Sequence, residues 1–92
     1  MKLNLLLFLE ERASVAQILR KSGRFSGYLK KQGDCYVLYC QLVGVELHYV
    51  HVNVPCPLKE HPKSVAALMI PHASICLAIQ SDRKKVLGFA GI

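Results

Sequence analysis

Past Ser14 the apolar runs of this chain are short, and glycine or proline interrupts each of them: Gly23, Gly27, Gly33, Gly44, Pro55, Pro57, Pro62 and Pro71. That punctuation leaves no room for long helices and is the pattern of a small β barrel or sandwich rather than of βαβ units. A first strand is expected over Val15 to Lys21, turning at Ser22-Gly23, where glycine accepts positive φ without steric cost. A second is expected over Arg24 to Lys30, with Phe25, Gly27 and Leu29 on one face. Glycine inside a strand weakens it unless the sheet bends there, so Gly27 is read as a bend.

After the polar turn Lys31-Gln32-Gly33-Asp34, the run Cys35 to Val43 is apolar at both parities and reads as a strand covered on both sides. Gly44 allows a bend into a near-alternating run, Val45 to Val54. The prolines that follow make 55–63 an extended surface loop, since proline cannot donate to a ladder. Two more strands, Ser64 to Ile70 and Ala73 to Gln80, are separated by Pro71-His72. The apolar Val86-Leu87-Gly88-Phe89 could add an edge strand after the basic cluster Arg83-Lys84-Lys85. No internal repeat or low-complexity tract is present.

The amino terminus carries Lys2 and the run Leu3-Asn4-Leu5-Leu6-Leu7-Phe8-Leu9, the beginnings of a signal peptide. The run is short, Asn4 interrupts it, and Glu10-Glu11-Arg12 puts charges where a cleavage region is usually neutral. Residues 3–12 are read instead as a short amphipathic helix whose Leu5, Leu6, Phe8 and Leu9 cover one face of the domain. Nothing approaches the roughly twenty apolar residues needed to span a bilayer.

Ninety-two residues enclose one core, so residues 1–92 are read as a single domain without room for a large substrate cleft. At 52% hydrophobic residues the chain is apolar for so small a body, which favours burial of surface between copies. Twelve Lys and Arg against six Asp and Glu give +6, a balance that suits a polyanion without identifying one.

Cys35, Cys40, Cys56 and Cys76 lack the dense spacing of a disulfide scaffold and read as reduced, buried thiols, which goes with a cytoplasmic location. On one regular strand Cys35 and Cys40 would face opposite sides. His48, His51, Cys56 and His61 form only a loose series, so no metal site and no cofactor is expected. No Ser-His-Asp or Cys-His arrangement is indicated, and enzymatic activity is not expected.

The order of these pieces carries a resemblance. Phe25-Ser26-Gly27-Tyr28-Leu29 looks like an apolar-x-Gly-x-apolar strand, Asp34-Cys35-Tyr36 like an Asp-x-aromatic loop, and Ile70-Pro71-His72-Ala73-Ser74-Ile75 like a two-residue turn before a last strand. Together with a leading helix, they resemble the Sm-like (LSm/Hfq) family over about four-fifths of the chain. The resemblance implies a mostly β fold: a short N-terminal helix, then a five-stranded, strongly bent, SH3-type small barrel, with 44–63 as an extended insertion between the third and fourth strands. It also implies a homo-oligomeric ring of six or seven copies, closed by pairing of the fourth strand with the fifth of the next copy.

In such rings, loops at the pore clamp single-stranded, uridine-rich RNA without catalysis. Carried over by position, Tyr36 would stack on a base, Asp34 would orient its loop, His72 would contact base or phosphate, and Lys31, with Lys30 and Arg83-Lys84-Lys85, would add backbone attraction. Tyr36 also reads as a half-buried strand aromatic, His72 as a turn residue satisfied by a backbone carbonyl, and the basic run as a solvated end. Pro71 in place of a basic residue, and six residues rather than five between Gly27 and Asp34, suit an alternative: a ring-forming structural or protein-interaction barrel that has lost RNA binding. A monomeric barrel holding a partner through 44–63 is a further possibility.

Overall fold

The computed structural model describes residues 3–81, which form six antiparallel strands and one α-helix. In chain order these are β1 (Leu3–Glu10), α1 (Ser14–Ser22), β2 (Leu29–Gln32), β3 (Cys35–Val45), β4 (Tyr49–Pro55), β5 (Val65–Pro71), a single 3-10 turn (His72–Ser74) and β6 (Ile75–Ser81). The strands form one sheet in the order β5-β4-β3-β1-β6, with β2 paired to the first part of β3. The sheet is not closed: β5 and β6 are the two ends of its path. The mostly β class expected from the sequence is therefore present, with six strands among the described residues where the resemblance implies five.

The first two elements are exchanged relative to the sequence reading. Residues 3–12 are not a helix; Leu3–Glu10 is a central strand hydrogen-bonded to β3 on one side and β6 on the other. A strand flanked on both sides and buried on both faces needs apolar residues at both parities, and a continuous apolar run cannot be told from a buried helix by periodicity. Leu5, Leu7 and Leu9 enter the main core, while Leu6 turns to the other face and packs with Val37, Phe8, Tyr39 and Ile79.

The segment read as a first strand, Val15 to Lys21, is helix α1. Ala16 and Leu19, three residues apart, are buried against the sheet, while Ile18, Arg20 and Lys21 are exposed. Gly23 ends the helix at φ 70, in the left-handed conformation that glycine adopts without the Cβ penalty. The Ser22 hydroxyl donates to the Leu19 carbonyl at 2.9 Å, capping one of the orphan acceptors there.

The second expected strand, Arg24 to Lys30, survives only as Leu29–Gln32, because residues 24–28 are turns closed by the Tyr28 amide on the Phe25 carbonyl. Gly27 lies in those turns, and an added Cβ would meet nothing within 4 Å, so it bends no strand. Gly33, at φ 61, supplies the positive φ of the two-residue β2–β3 connection.

β3 is longer than expected and continues through Gly44 to Val45, with a register shift against β4 between Leu42 and Gly44. Such a shift adds local twist and bend. β4 begins at Tyr49 rather than Val45, because 46–48 form the connection between the strands. The loop after Pro55 is present as expected; its ends meet where the Cys56 amide donates to the Ser64 carbonyl at 2.9 Å. The expected strand 86–89 and the Arg83-Lys84-Lys85 cluster lie outside the described residues. Tyr36, Leu38, Cys40, Val50, Val52, Val54 and Ile70 complete the main core beneath α1. Among the described residues, no helix is long and apolar enough to cross a membrane.

Candidate nucleic-acid interface

Three of the four residues carried over by resemblance meet at one corner. The β2–β3 hairpin places Lys31 opposite Tyr36 and ends on Gly33-Asp34 beside the close of β1, where the Glu11 amide donates to the Asp34 carbonyl at 3.3 Å. Lys31 Nζ sits 2.8 Å from Glu11 Oε1. The hydrogen bond and the attraction of Lys31 hold the Glu11 carboxyl below its usual range, and the same contacts raise the Lys31 ammonium. Both groups are solvated, so the pair orients the hairpin more than it stabilises the fold.

An open cleft of about 430 Å³ at this corner is lined by Glu10, Glu11, Arg12 and Asp34. With Lys31 included, three carboxylates face two cations. The corner therefore offers a polyanion no excess positive charge. Tyr36 is in the main core and only 9% exposed, so its ring packs against protein.

His72 is elsewhere, at the connection from β5 to β6. Its amide donates to the His48 carbonyl at 3.1 Å, and its Nε2 lies 2.7 Å from the Glu46 carbonyl. A carbonyl only accepts, so Nε2 carries a proton. The backbone-carbonyl contact considered for a turn histidine is thus made, and it ties the β5–β6 connection to the β3–β4 hairpin. The imidazole remains exposed.

Of the cysteines, only Cys40 is fully buried, and burial pushes its thiol up to about 12. Cys76 is exposed and Cys35 intermediate, which corrects the expectation of uniformly buried thiols. The Cys76 thiol is raised by desolvation and by a hydrogen bond with Cys35, a proximity that sequence spacing could not reveal. Among the described residues no three His, Cys, Asp or Glu side chains converge as metal ligands.

Sequence reasoning missed a row of amides, Asn4, Gln41 and Asn53, that the register sets side by side across β1, β3 and β4. The signal was there: Asn4 and Gln41 are each a lone polar residue within an apolar run, and Asn53 is a polar member of the near-alternating run before Pro55. Comparison with protein-family models, with curated proteins and with solved structures finds no match for the chain.

Proposed function

We propose that the protein is an Sm-like, ring-forming protein that binds single-stranded, uridine-rich RNA and performs no chemistry. The observation that carries this reading is the open sheet. β5 and β6 occur consecutively in sequence, are joined by a single turn, and yet do not pair with each other. Among the described residues each leaves one row of backbone donors and acceptors unpaired, and β5 of one copy added to β6 of the next would satisfy both. Val65 and Met69 on β5 and Leu77 on β6 are each about half exposed, which supplies apolar surface along those edges. The small bent barrel is the finer form of this reading, with β3 bending at its Gly44 register shift.

Support for RNA is the +6 charge and the position of His72, exposed beside the β3–β4 hairpin where repeated copies would present it around an axis. Lys31 and Asp34 belong to this reading as hairpin residues. Tyr36 enters it only if its ring leaves the core, which would forfeit its packing.

The second reading, a ring that serves structure or protein interaction without RNA, is favoured by one observation: the Lys31 corner is neutralised by Glu11 and bordered by Glu10 and Asp34. A salt-titrated binding assay with short oligouridine separates the two. RNA binding predicts affinity that falls linearly in log–log form with salt; absence of salt-sensitive binding by the assembled protein leaves the second reading.

A further inference from the structure

On the sheet face opposite α1, β-register places Asn4 beside Gln41 and Gln41 beside Asn53, so three carboxamides stand in one line across neighbouring strands. All three residues are half-buried. They contribute to the lining of a cavity of about 280 Å³, with Tyr28 and Tyr39 as aromatic members and Pro55 and Val65 as apolar ones. The Tyr39 hydroxyl donates to Asn4 Oδ1 at 3.2 Å, which orients that amide and leaves its NH2 group to donate elsewhere. The Gln41 and Asn53 side chains make no hydrogen bond with the described residues. Half-buried amides beside two aromatic rings, with atoms that solvent still reaches, are open to hydrogen bonds from a ligand.

The chemistry of the lining narrows the occupant. No charged side chain is among the described lining, so the part of the ligand that enters is neutral. Carboxamides both donate and accept, and they match a planar group with alternating acceptors and donors along one edge. Tyrosine rings offer stacking to a flat π system. The volume, about 280 Å³, lies just below the range for ligand pockets, about 300–1,000 Å³, and suits one heterocycle rather than a dinucleotide. We infer that the Asn4–Gln41–Asn53 row is a single-nucleobase site, with the tyrosines stacking on the base and the amides reading its hydrogen-bonding edge.

The site rests on the RNA-binding reading for its natural occupant, but it lies within one copy and needs no ring. The test uses the full chain and the free nucleoside uridine, followed by amide-detected NMR. The expected result is saturable shifts of the side-chain NH2 signals of Asn4, Gln41 and Asn53, with an affinity unchanged between low and high salt because the ligand is uncharged. Asn53→Ala and Gln41→Ala are each expected to weaken binding about fivefold, the loss of one hydrogen bond.

Dihydrouridine, whose ring is not planar, is expected to bind more weakly, and ribose not to shift these signals. The inference is overturned if uridine leaves the three amides unmoved, if ribose or dihydrouridine matches uridine, or if both alanine variants bind like the parent. Where an alanine variant loses its dispersed spectrum, Asn53→Ser and Gln41→Ser take its place. Oligouridine binding that persists without nucleoside shifts would sink this site alone, whereas nucleoside shifts without salt-sensitive oligouridine binding would sink the ring-bound RNA reading alone.

Discussion

Single residues here divide by whether they face a strand neighbour or water. Cys40 lies on the core side of β3, its thiol contacting the Leu5 carbonyl at 3.6 Å, and burial raises it to about 12. Thiolate is the reactive form and the reagent must also reach it, so native protein treated with iodoacetamide near pH 8 is expected to alkylate Cys76, Cys35 and Cys56 before Cys40, which should react only on unfolding. Peptide mass mapping over time reads the order; early labelling of Cys40 would contradict its place in the core. The Glu11–Lys31 pair makes a second prediction. Glu11 has a lowered folded-state pKa, so its contribution is present above the unfolded carboxylate pKa and is lost as pH falls through the lower folded value. Lys31 is raised, so its contribution is full below the unfolded lysine pKa and is lost as pH rises through the higher folded value. Stability measured by denaturant midpoint should therefore lose this small increment at both acid and alkaline extremes. Glu11→Gln should flatten both limbs slightly, and an unchanged profile would show the pair to be energetically silent.

At the scale of elements, the boundary most sharply dictated by backbone chemistry is the end of α1. Gly23 at φ 70 has open space around its missing Cβ, so Gly23→Ala introduces no clash with neighbours and isolates the cost of left-handed backbone. That cost is about 1–2 kcal/mol for a residue with a Cβ, and it should appear as a lower urea midpoint with an unchanged slope. The same glycine was legible in sequence as a turn, yet the element before it was misread. Ala16 and Leu19 at three-residue spacing, with Arg20 and Lys21 in the last turn, carried a helix signal. The β-branched Val15 and Ile18 equally suit a strand, so residue type does not separate the two. In β1 the failure has another cause: Leu5, Leu7 and Leu9 face one core and Leu6 the other, so burial on both sides erased the alternation that marks a strand. The later strands were legible because Gly33 and the prolines punctuate them, whereas Gly44, read as a break, lies inside β3. The candidate site was least legible, since whether Tyr36 is packed or presented depends on α1 and β1, the two elements that were exchanged.

For the whole molecule, the deciding quantity is what completes the sheet. A radius of gyration of 12.5 Å is that of a compact domain of this length, about 12 Å. Compactness therefore does not require a partner; the edges left unpaired among the described residues are where one would add. Among the described residues β5 pairs only with β4 and β6 only with β1, and neither strand carries a lysine or an inward-pointing charge that would blunt it against association. Met69 and Leu77 project from these edges at 52% and 51% exposure, so glutamate at either position costs the isolated fold little, within about 0.5 kcal/mol for surface substitutions. In a ring every interface joins one β5 to one β6, and a charge there is repeated at each junction. The parent is thus expected to sediment in dilute solution as a closed multiple of the 10.3 kDa chain, while Met69→Glu and Leu77→Glu shift it toward the single-chain mass with their circular dichroism intact. A parent that sediments as one chain would remove the ring. Variants that remain assembled would place the contact on another surface, such as the exposed Val43 and Val45 at the end of β3 with Leu47 in the connection after it.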